Sequence, residues 1–241
     1  MKKLTAILCL VAIALFGTIT FACAAQKKTD KMKVEPFTKI ELGVGITASY
    51  VQGPFAPLKF TGSREALDRI MVTTSHGTLE IKYRNKGQNS NNGRNNVQVT
   101  IQAPEITSFD LATGAVLNIP DGICTQNKLS FDLSTGAVAT IKGITATKLE
   151  FDLSTGAVLN ATKINSQHLE ADLSTGAVAT IAGNCTRAEL EASTGAIINA
   201  AKLLTTTAEV SASVGAQIDY NARHTTEVSK GLGAQVNNHA R

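Results

Sequence analysis

The phrase FDLSTGAVLN at residues 151–160 recurs along the chain and decides its fold. Close copies stand at 131–140 and 171–180, and weaker ones at 109–118, 190–199 and 210–219. The Gly-Ala pairs of the repeats begin at positions 114, 136, 156, 176, 195, 215 and 233. A period near 20 that tolerates such small slips is typical of a stacked solenoid, in which each repeat forms one coil.

Each repeat predicts two strands joined by a bend. Leu149, Phe151 and Leu153 alternate with polar residues, which is the pattern of a half-buried strand. A second alternation follows Gly156, whose missing side chain permits a bend. About 20 residues at ~3.3 Å each give a perimeter of ~66 Å, which suits a three-sided coil. We therefore predict an all-β, right-handed, single-stranded parallel β-helix.

The second strand shows paired changes in side-chain volume from coil to coil. Where one inward position is large, the next inward position is small, as in Ala139/Ile141, Leu159/Ala161 and Ala179/Ile181. Close-packed interiors disfavour both voids and overfilling, so this alternation predicts that these residues face the core.

The N-terminus resembles an export signal. Residues 1–24 combine two lysines, an apolar stretch and small residues at a cleavage site. The apolar stretch, residues 4–16, is shorter than the ~20 residues that a membrane span needs. Cleavage before Cys23 would give a lipid-anchored protein, whereas cleavage after Ala24 would give a secreted one. Residues 25–33 are expected to be a polar tether, and 34–241 a single β-helix domain.

Residues 34–103 are less regular than the repeats at 104–241, and we expect them to form a cap and a first coil. Residues 39–46 align with the strand and bend of the repeat, which predicts that they start the column. Ser63 is a candidate helix cap, residues 78–83 and 97–101 read as strands, and 85–96 read as a polar loop.

Only two cysteines lie in the repeat region. Cys124 and Cys185 occupy similar positions three repeats apart, so ~4.8 Å per coil separates them by ~14 Å. This exceeds the ~7 Å limit for the α-carbons of a disulfide. We predict two free thiols, buried as small hydrophobic groups, and no zinc site because the metal-ligand spacings are absent.

An acidic ladder is the strongest candidate for a binding site. Its members stand four residues before the repeat glycine: Asp110, Asp132, Asp152, Asp172 and Glu191. Stacked neighbours ~4.8 Å apart would repel one another by ~0.9 kcal/mol in water before salt screening. Either calcium offsets this repulsion, or each carboxylate accepts hydrogen bonds at the bend. No cofactor other than calcium is expected.

Composition and spacing disfavour several other functions. Residues 27–103 carry 12 basic and 6 acidic side chains and 104–241 carry 9 and 13, without the basic stripe of a nucleic-acid protein. Clustered carboxylates on a β-helix can cleave polysaccharides, but here the acids follow the repeat, and we expect no catalytic residues. An outward stripe of Val116, Val138, Val158, Val178 and Ile197 would be an interface or a packed corner.

The exported N-terminus, the KIELGVGI segment and the many DLSTGA coils resemble the bacterial putative auto-transporter adhesin, head GIN domain family. The resemblance implies a β-helix on the cell envelope that acts as an adhesin-like binding or scaffolding module. A polysaccharide-active enzyme and a calcium-stabilised envelope protein are the alternatives. Expected partners are a glycan or an envelope protein, with membrane contact only through a lipid anchor. We expect the outer membrane or cell surface, or else the periplasm; the oligomeric state stays open.

Overall fold

The computed structural model describes residues 28–84 and 97–240, which are almost entirely β-strand. The strands up to the second regular coil are β1 (Lys28–Met32), β2 (Lys39–Leu42), β3 (Thr47–Gln52), β4 (Leu58–Gly62), β5 (Ile70–Ser75), β6 (Thr78–Tyr83), β7 (Gln98–Ala103), β8 (Ser108–Leu111) and β9 (Val116–Ile119). Those that follow are β10 (Ile123–Cys124), β11 (Lys128–Leu133), β12 (Val138–Ile141), β13 (Ile144–Leu153), β14 (Val158–Leu173), β15 (Val178–Ala192), β16 (Ile197–Ala212), β17 (Gln217–Lys230) and β18 (Gln235–Asn238). A short helix, α1 (Arg64–Leu67), lies between β4 and β5.

The strands form a β-solenoid of about seven turns, which confirms the predicted all-β repeat fold. Equivalent residues of successive coils pair in parallel, as Phe131 does with Phe109 on one side and Phe151 on the other. Each coil has three faces. The first face carries the residues before the repeat turn, such as β8 and β11. The second carries those after it, such as β9 and β12, and the third begins at β10.

The repeat turn uses two residues in the left-handed conformation. The amide of Ala157 donates to the carbonyl of Ser154 at 3.1 Å, with Thr155 at φ 48° and Gly156 at φ 72° between them. Glycine adopts this conformation readily, but a β-branched threonine does so only under strain. The amide of Gly156 then donates to Thr175 of the next coil at 3.0 Å. Hydrogen bonds between turns therefore continue the parallel sheet around the corner.

The core is a continuous column of buried apolar side chains. Ala139, Leu159 and Ala179 are stacked in register and fully buried, which confirms the predicted large–small alternation. On the first face the rings of Phe109 and Phe131 stack with centroids 5.0 Å apart, and Phe151 follows at 5.6 Å. Residues of the second face and of the first face thus fill one interior.

The first coil in the sequence does not start the column. Strand β2 pairs with β6 on one side and β8 on the other, and β3 likewise lies between β7 and β9. The expectation that residues 39–46 begin the column is therefore wrong. The segment β4–α1–β5 leaves the coil and brings the chain back on the side of β2 and β3 that faces away from β8 and β9. The later coil, β6–β7, therefore forms the N-terminal end of the column.

Antiparallel strands cap this N-terminal end. β5 pairs with β6, β4 pairs with β7, and β1 pairs with β4. The predicted cap Ser63 accepts a hydrogen bond from the amide of Ala66 at 3.3 Å. Lys28–Met32 lies in this sheet, which corrects the tether predicted for residues 25–33. The predicted signal peptide at 1–24, with Cys23, and the predicted loop at 85–96 lie outside the described residues.

The C-terminal end is closed by polar groups. Lys230 is in register with the buried Ala212, and its ammonium donates to the carbonyl of Val236 at 3.1 Å. Thr226 is an extra residue between the paired Thr225 and Glu227, which makes a bulge. Inward lysines and bulges prevent edge strands from pairing with other chains.

Candidate functional site

The predicted acidic ladder exists as one column on the first face. Register pairs join Asp110 to Asp132, Asp132 to Asp152, Asp152 to Asp172, and Asp172 to Glu191. All five residues are exposed. The parallel register therefore places like charges one strand spacing apart, as the repeat predicts.

The ladder extends beyond the predicted members. Glu41 pairs with Asp110, and Glu80 pairs with Glu41, so seven carboxylates stand in file. Glu41 stands four residues before Gly45, so the offset used for the repeats would have found it. Glu80 has no glycine at that offset, and the unexpected position of β6 hides it from sequence analysis.

A second column of acidic residues lies beside the ladder, and its members form ion pairs with basic residues. Glu150 forms ion pairs with Lys128 and with Lys148, the latter at 2.6 Å. Lys148 also reaches Glu170 at 3.0 Å, and Arg187 reaches Glu209 at 3.3 Å. Partial burial raises the pKa of Glu150, but the hydrogen bonds from the two lysines outweigh it and lower the pKa overall.

The five predicted members of the ladder lack such compensation, whereas Glu80 at its end pairs with Lys82 at 2.5 Å. In the part of the chain that the structure describes, none of Asp110, Asp132, Asp152, Asp172 and Glu191 makes an ion pair or a side-chain hydrogen bond. The expectation that each carboxylate accepts hydrogen bonds at the bend is therefore not met. Burial, and then repulsion by the adjacent carboxylates, raises the pKa of Asp152. The same two causes raise the pKa of Asp110, Asp132 and Glu191.

Residues 28–84 and 97–240 contain no group of three or more His, Cys, Asp or Glu side chains that could hold a metal ion. A single file of carboxylates offers an ion two close neighbours, whereas calcium takes six to eight oxygen ligands. The ladder is therefore a line of negative charge along the first face.

The third face carries uncharged polar side chains, which we call the amide strip: Gln126, Thr145, Thr147, Asn165, Gln167, Asn184 and Thr186. Thr145, Asn165 and Asn184 are stacked in register. The side-chain amides of Asn165, Gln167 and Asn184 have no hydrogen-bond partner among the described residues. Sequence analysis missed the strip, although Thr145 and Asn165 both stand nine residues after a repeat glycine.

Two concavities lie along the third face. One, of about 230 Å³, is lined by Thr145, Asn165, Gln167 and their neighbours. The other, of about 380 Å³, is lined by Asp121, Cys124, Thr145 and Lys163. The side chain of Gln52 closes the upper edge of this second concavity. Its Nε2 donates to the backbone carbonyl of Cys124 at 2.7 Å, and its Oε1 accepts from the backbone amide of Cys124 at 2.8 Å. The open strand edge of β10 is thereby satisfied.

Three lysines lie at the corner between the second and third faces. Lys142, Lys163 and Lys202 are exposed, and in the described chain none of them makes an ion pair. We call them the corner lysines. Lys163 has a left-handed backbone at φ 54° and stands below Gly143, because Ile164 pairs with Ile144. The sequence analysis did not assign them a role, although Lys163 and Lys202 both stand seven residues after a repeat glycine.

The predicted apolar stripe lies on the second face. Val116, Val138, Val158 and Val178 are half-buried, and Ile197 is 37% exposed. The valines flank the repeat turn, and Val158 pairs with Val138 and Val178. Four of the five side chains are therefore partly covered, as at a packed corner.

The two cysteines differ in environment. Both are free thiols, as predicted. Cys185 is buried, and its thiol donates to the carbonyl of Arg187 at 2.9 Å. The expectation that Cys124 is also buried is wrong: Cys124 pairs with the outward Thr145, whereas Cys185 pairs with the inward Ser166, so the two cysteines point to opposite sides of the strand and Cys124 is exposed.

The described residues include no helix with the length and apolar character needed to cross a membrane. The model of one family, putative auto-transporter adhesin, head GIN domain, matches residues 36–239. The chain belongs to this family. No curated protein matches the chain. The family and its structural neighbours are described as adhesins or binding proteins.

Solved structures from this adhesin-like group share the solenoid. A putative adhesin from Parabacteroides distasonis is 13% identical, with a TM-score of 0.74 over 89% of this chain and 98% of that one. A putative adhesin from Parabacteroides merdae is 13% identical, with a TM-score of 0.73 over 88% and 97%. A putative lipid binding protein from P. distasonis is 16% identical, with a TM-score of 0.72 over 88% and 96%. At these identities the likeness concerns the fold alone.

Proposed function

We propose that this chain is an exported, non-enzymatic binding module of the cell surface with an adhesin-like role. The observation that carries the proposal is the third face, where free amides and free lysines line a rigid, slightly concave strip. Solenoids use such extended faces to bind extended ligands. Family membership supports the same role.

An adhesion assay tests this function directly. Beads coated with the mature chain should attach to glycan- or protein-coated surfaces, or to bacterial envelopes, more than beads coated with a protein of similar charge. Attachment that does not exceed the control on any surface would contradict the proposal. Mass spectrometry of the exported chain separates a lipid on Cys23 from cleavage after Ala24.

A calcium-stabilised envelope protein is the second candidate, and the seven-membered carboxylate ladder favours it. Calcium in millimolar amounts should then raise the melting temperature more than the same ionic strength of sodium chloride, because it would neutralise adjacent carboxylates. Equal shifts in the two salts would show screening only, and would rule out a structural ion.

A further inference from the structure

The geometry points to an acidic polysaccharide as the ligand, lying lengthwise on the third face. The corner lysines Lys142, Lys163 and Lys202 contact its carboxylates, and the amide strip bonds its hydroxyl groups. This inference rests on the proposed binding function, because it names the ligand class of the same surface.

The unpaired charge along this face is positive on balance, because the three corner lysines outnumber Asp121, the exposed carboxylate that lines the larger concavity with Lys163. The basic residues on the opposite edge of this face, Lys148 and Arg187, are already paired with glutamates of the first face. The corner lysines have no such partners in the described chain, so a ligand carboxylate meets an uncompensated ammonium there. The first face, by contrast, presents two columns of carboxylates and repels a polyanion.

The backbone at Lys163 supports a role in binding. The left-handed conformation at φ 54° is costly for lysine and easy for glycine, which stands at the equivalent position 143 of the neighbouring coil. The fold alone would therefore favour glycine at position 163. Lys163 also lines the larger concavity together with Thr145.

The strip suits hydroxyl groups better than a peptide. Amides both donate and accept hydrogen bonds, as hydroxyls do. A peptide that adds a strand needs a free sheet edge, but β13, β14 and β15, which carry most of the amide strip, pair with both neighbours, and Gln52 closes the edge at β10. A linear polymer that repeats its carboxylates and hydroxyls along its length matches the stacked, repeated side chains of this face.

Binding of uronic-acid polymers tests the inference. The mature chain is titrated with polygalacturonate, alginate and hyaluronate, and with polygalacturonate whose carboxyl groups have been reduced. We expect saturable binding of at least one acidic polymer, weaker binding of the reduced polymer, and loss of affinity from about 0.05 M to about 0.5 M salt. Binding of none of the three, or equal binding of the reduced polymer, would overturn the inference.

Matched variants locate the site. The triple variant K142A/K163A/K202A should weaken binding roughly tenfold, and Asn165→Ala should weaken it roughly two- to tenfold. The variant K31A/K33A/K59A removes the same charge at the exposed surface of the cap and should leave affinity unchanged. Equal losses in the two triple variants would show nonspecific charge attraction and contradict a site on the third face.

Lys163→Gly separates binding from folding. It should keep or raise the melting temperature, because it relieves the strained backbone, and yet weaken polymer binding. Unchanged affinity would exclude Lys163 from the site. The bead assay distinguishes failure of the adhesin-like function from failure of the proposed ligand. If beads coated with K142A/K163A/K202A still attach, and attachment also persists in excess polygalacturonate, the adhesin-like function stands. The acidic polysaccharide is then not its ligand.

Discussion

Gly183 packs directly against the backbone of Ile164 in the neighbouring coil. A β-carbon at position 183 would lie 2.3 Å from both the nitrogen and the oxygen of Ile164. Gly156 in the repeat turn also has a positive φ, of 72°, but a β-carbon there would meet nothing within 4 Å. The two glycines therefore differ in the reason that each is required.

Gly183→Ala should destabilise the fold much more than Gly156→Ala. The second change costs roughly 1–2 kcal/mol of backbone strain, whereas the first adds a clash that only movement of the coil can relieve, for a total above about 3 kcal/mol. Urea unfolding of both variants measures the difference. Similar losses would mean that the contact with Ile164 is not rigid.

Thr155→Asn should stabilise the protein by roughly 0.5–1 kcal/mol, because asparagine tolerates the left-handed conformation better than a β-branched residue. Thr113, in the equivalent turn of an earlier coil, does not have a positive φ. The control Thr113→Asn should therefore give no gain. A gain of the same size at both positions would point to a cause other than backbone strain.

Leu159→Ala should lower the free energy of unfolding by roughly 2–5 kcal/mol. The cavity cannot be filled easily, because the residues stacked on Leu159 are Ala139 and Ala179. Val158→Ala on the outer side of the same strand should cost less than about 1 kcal/mol. Equal costs in denaturant melts would contradict the assignment of inner and outer positions.

Asp152→Asn and Glu150→Gln should have opposite effects at about pH 7. The pKa of Asp152 is raised in the folded protein, so its ionisation destabilises the fold increasingly above the unfolded-state pKa and fully above the folded-state pKa, and Asp152→Asn should add up to about 1 kcal/mol at pH 7. The pKa of Glu150 is lowered, so its stabilisation is present above the unfolded-state pKa and is lost as pH falls through the folded-state value.

Melts at about pH 7 and about pH 3 test this pair of predictions. The gain from Asp152→Asn should shrink at the lower pH, where both states bind the proton. The loss from Glu150→Gln, roughly 0.3–1 kcal/mol for an exposed ion pair, should shrink as well. Effects of the same sign at pH 7 would contradict the division between a repulsive and a paired column.

The repeat predicts the local geometry of a coil well, because glycine spacing and apolar alternation act within 20 residues. It fixes the inward position of Leu159 and the stacking of Asp132 on Asp152, both of which the structure contains. It does not predict the strained Thr155, since threonine is common in strands and its φ depends on the turn that Gly156 completes.

The sequence does not predict which distant segments lie beside one another. The register of Glu80 with Glu41 depends on the detour through β4 and β5, which no local pattern encodes. The exposure of Cys124 depends on one residue of strand register, since it pairs with the outward Thr145 and Cys185 pairs with the inward Ser166. The corner lysines were missed for a different reason: their significance lies in lacking the ion pairs that their neighbours make.

The position of the first coil between strands that form later has a consequence for the order of pairing during synthesis. When β2 and β3 emerge, both of their edges are open, and they stay open until the chain through β9 has followed. After β9, each new coil forms its strand pairs with the coil before it. The pairings of this first coil thus need the N-terminal half of the chain, up to Ile119, and repeats can be gained or lost downstream without disturbing those pairings.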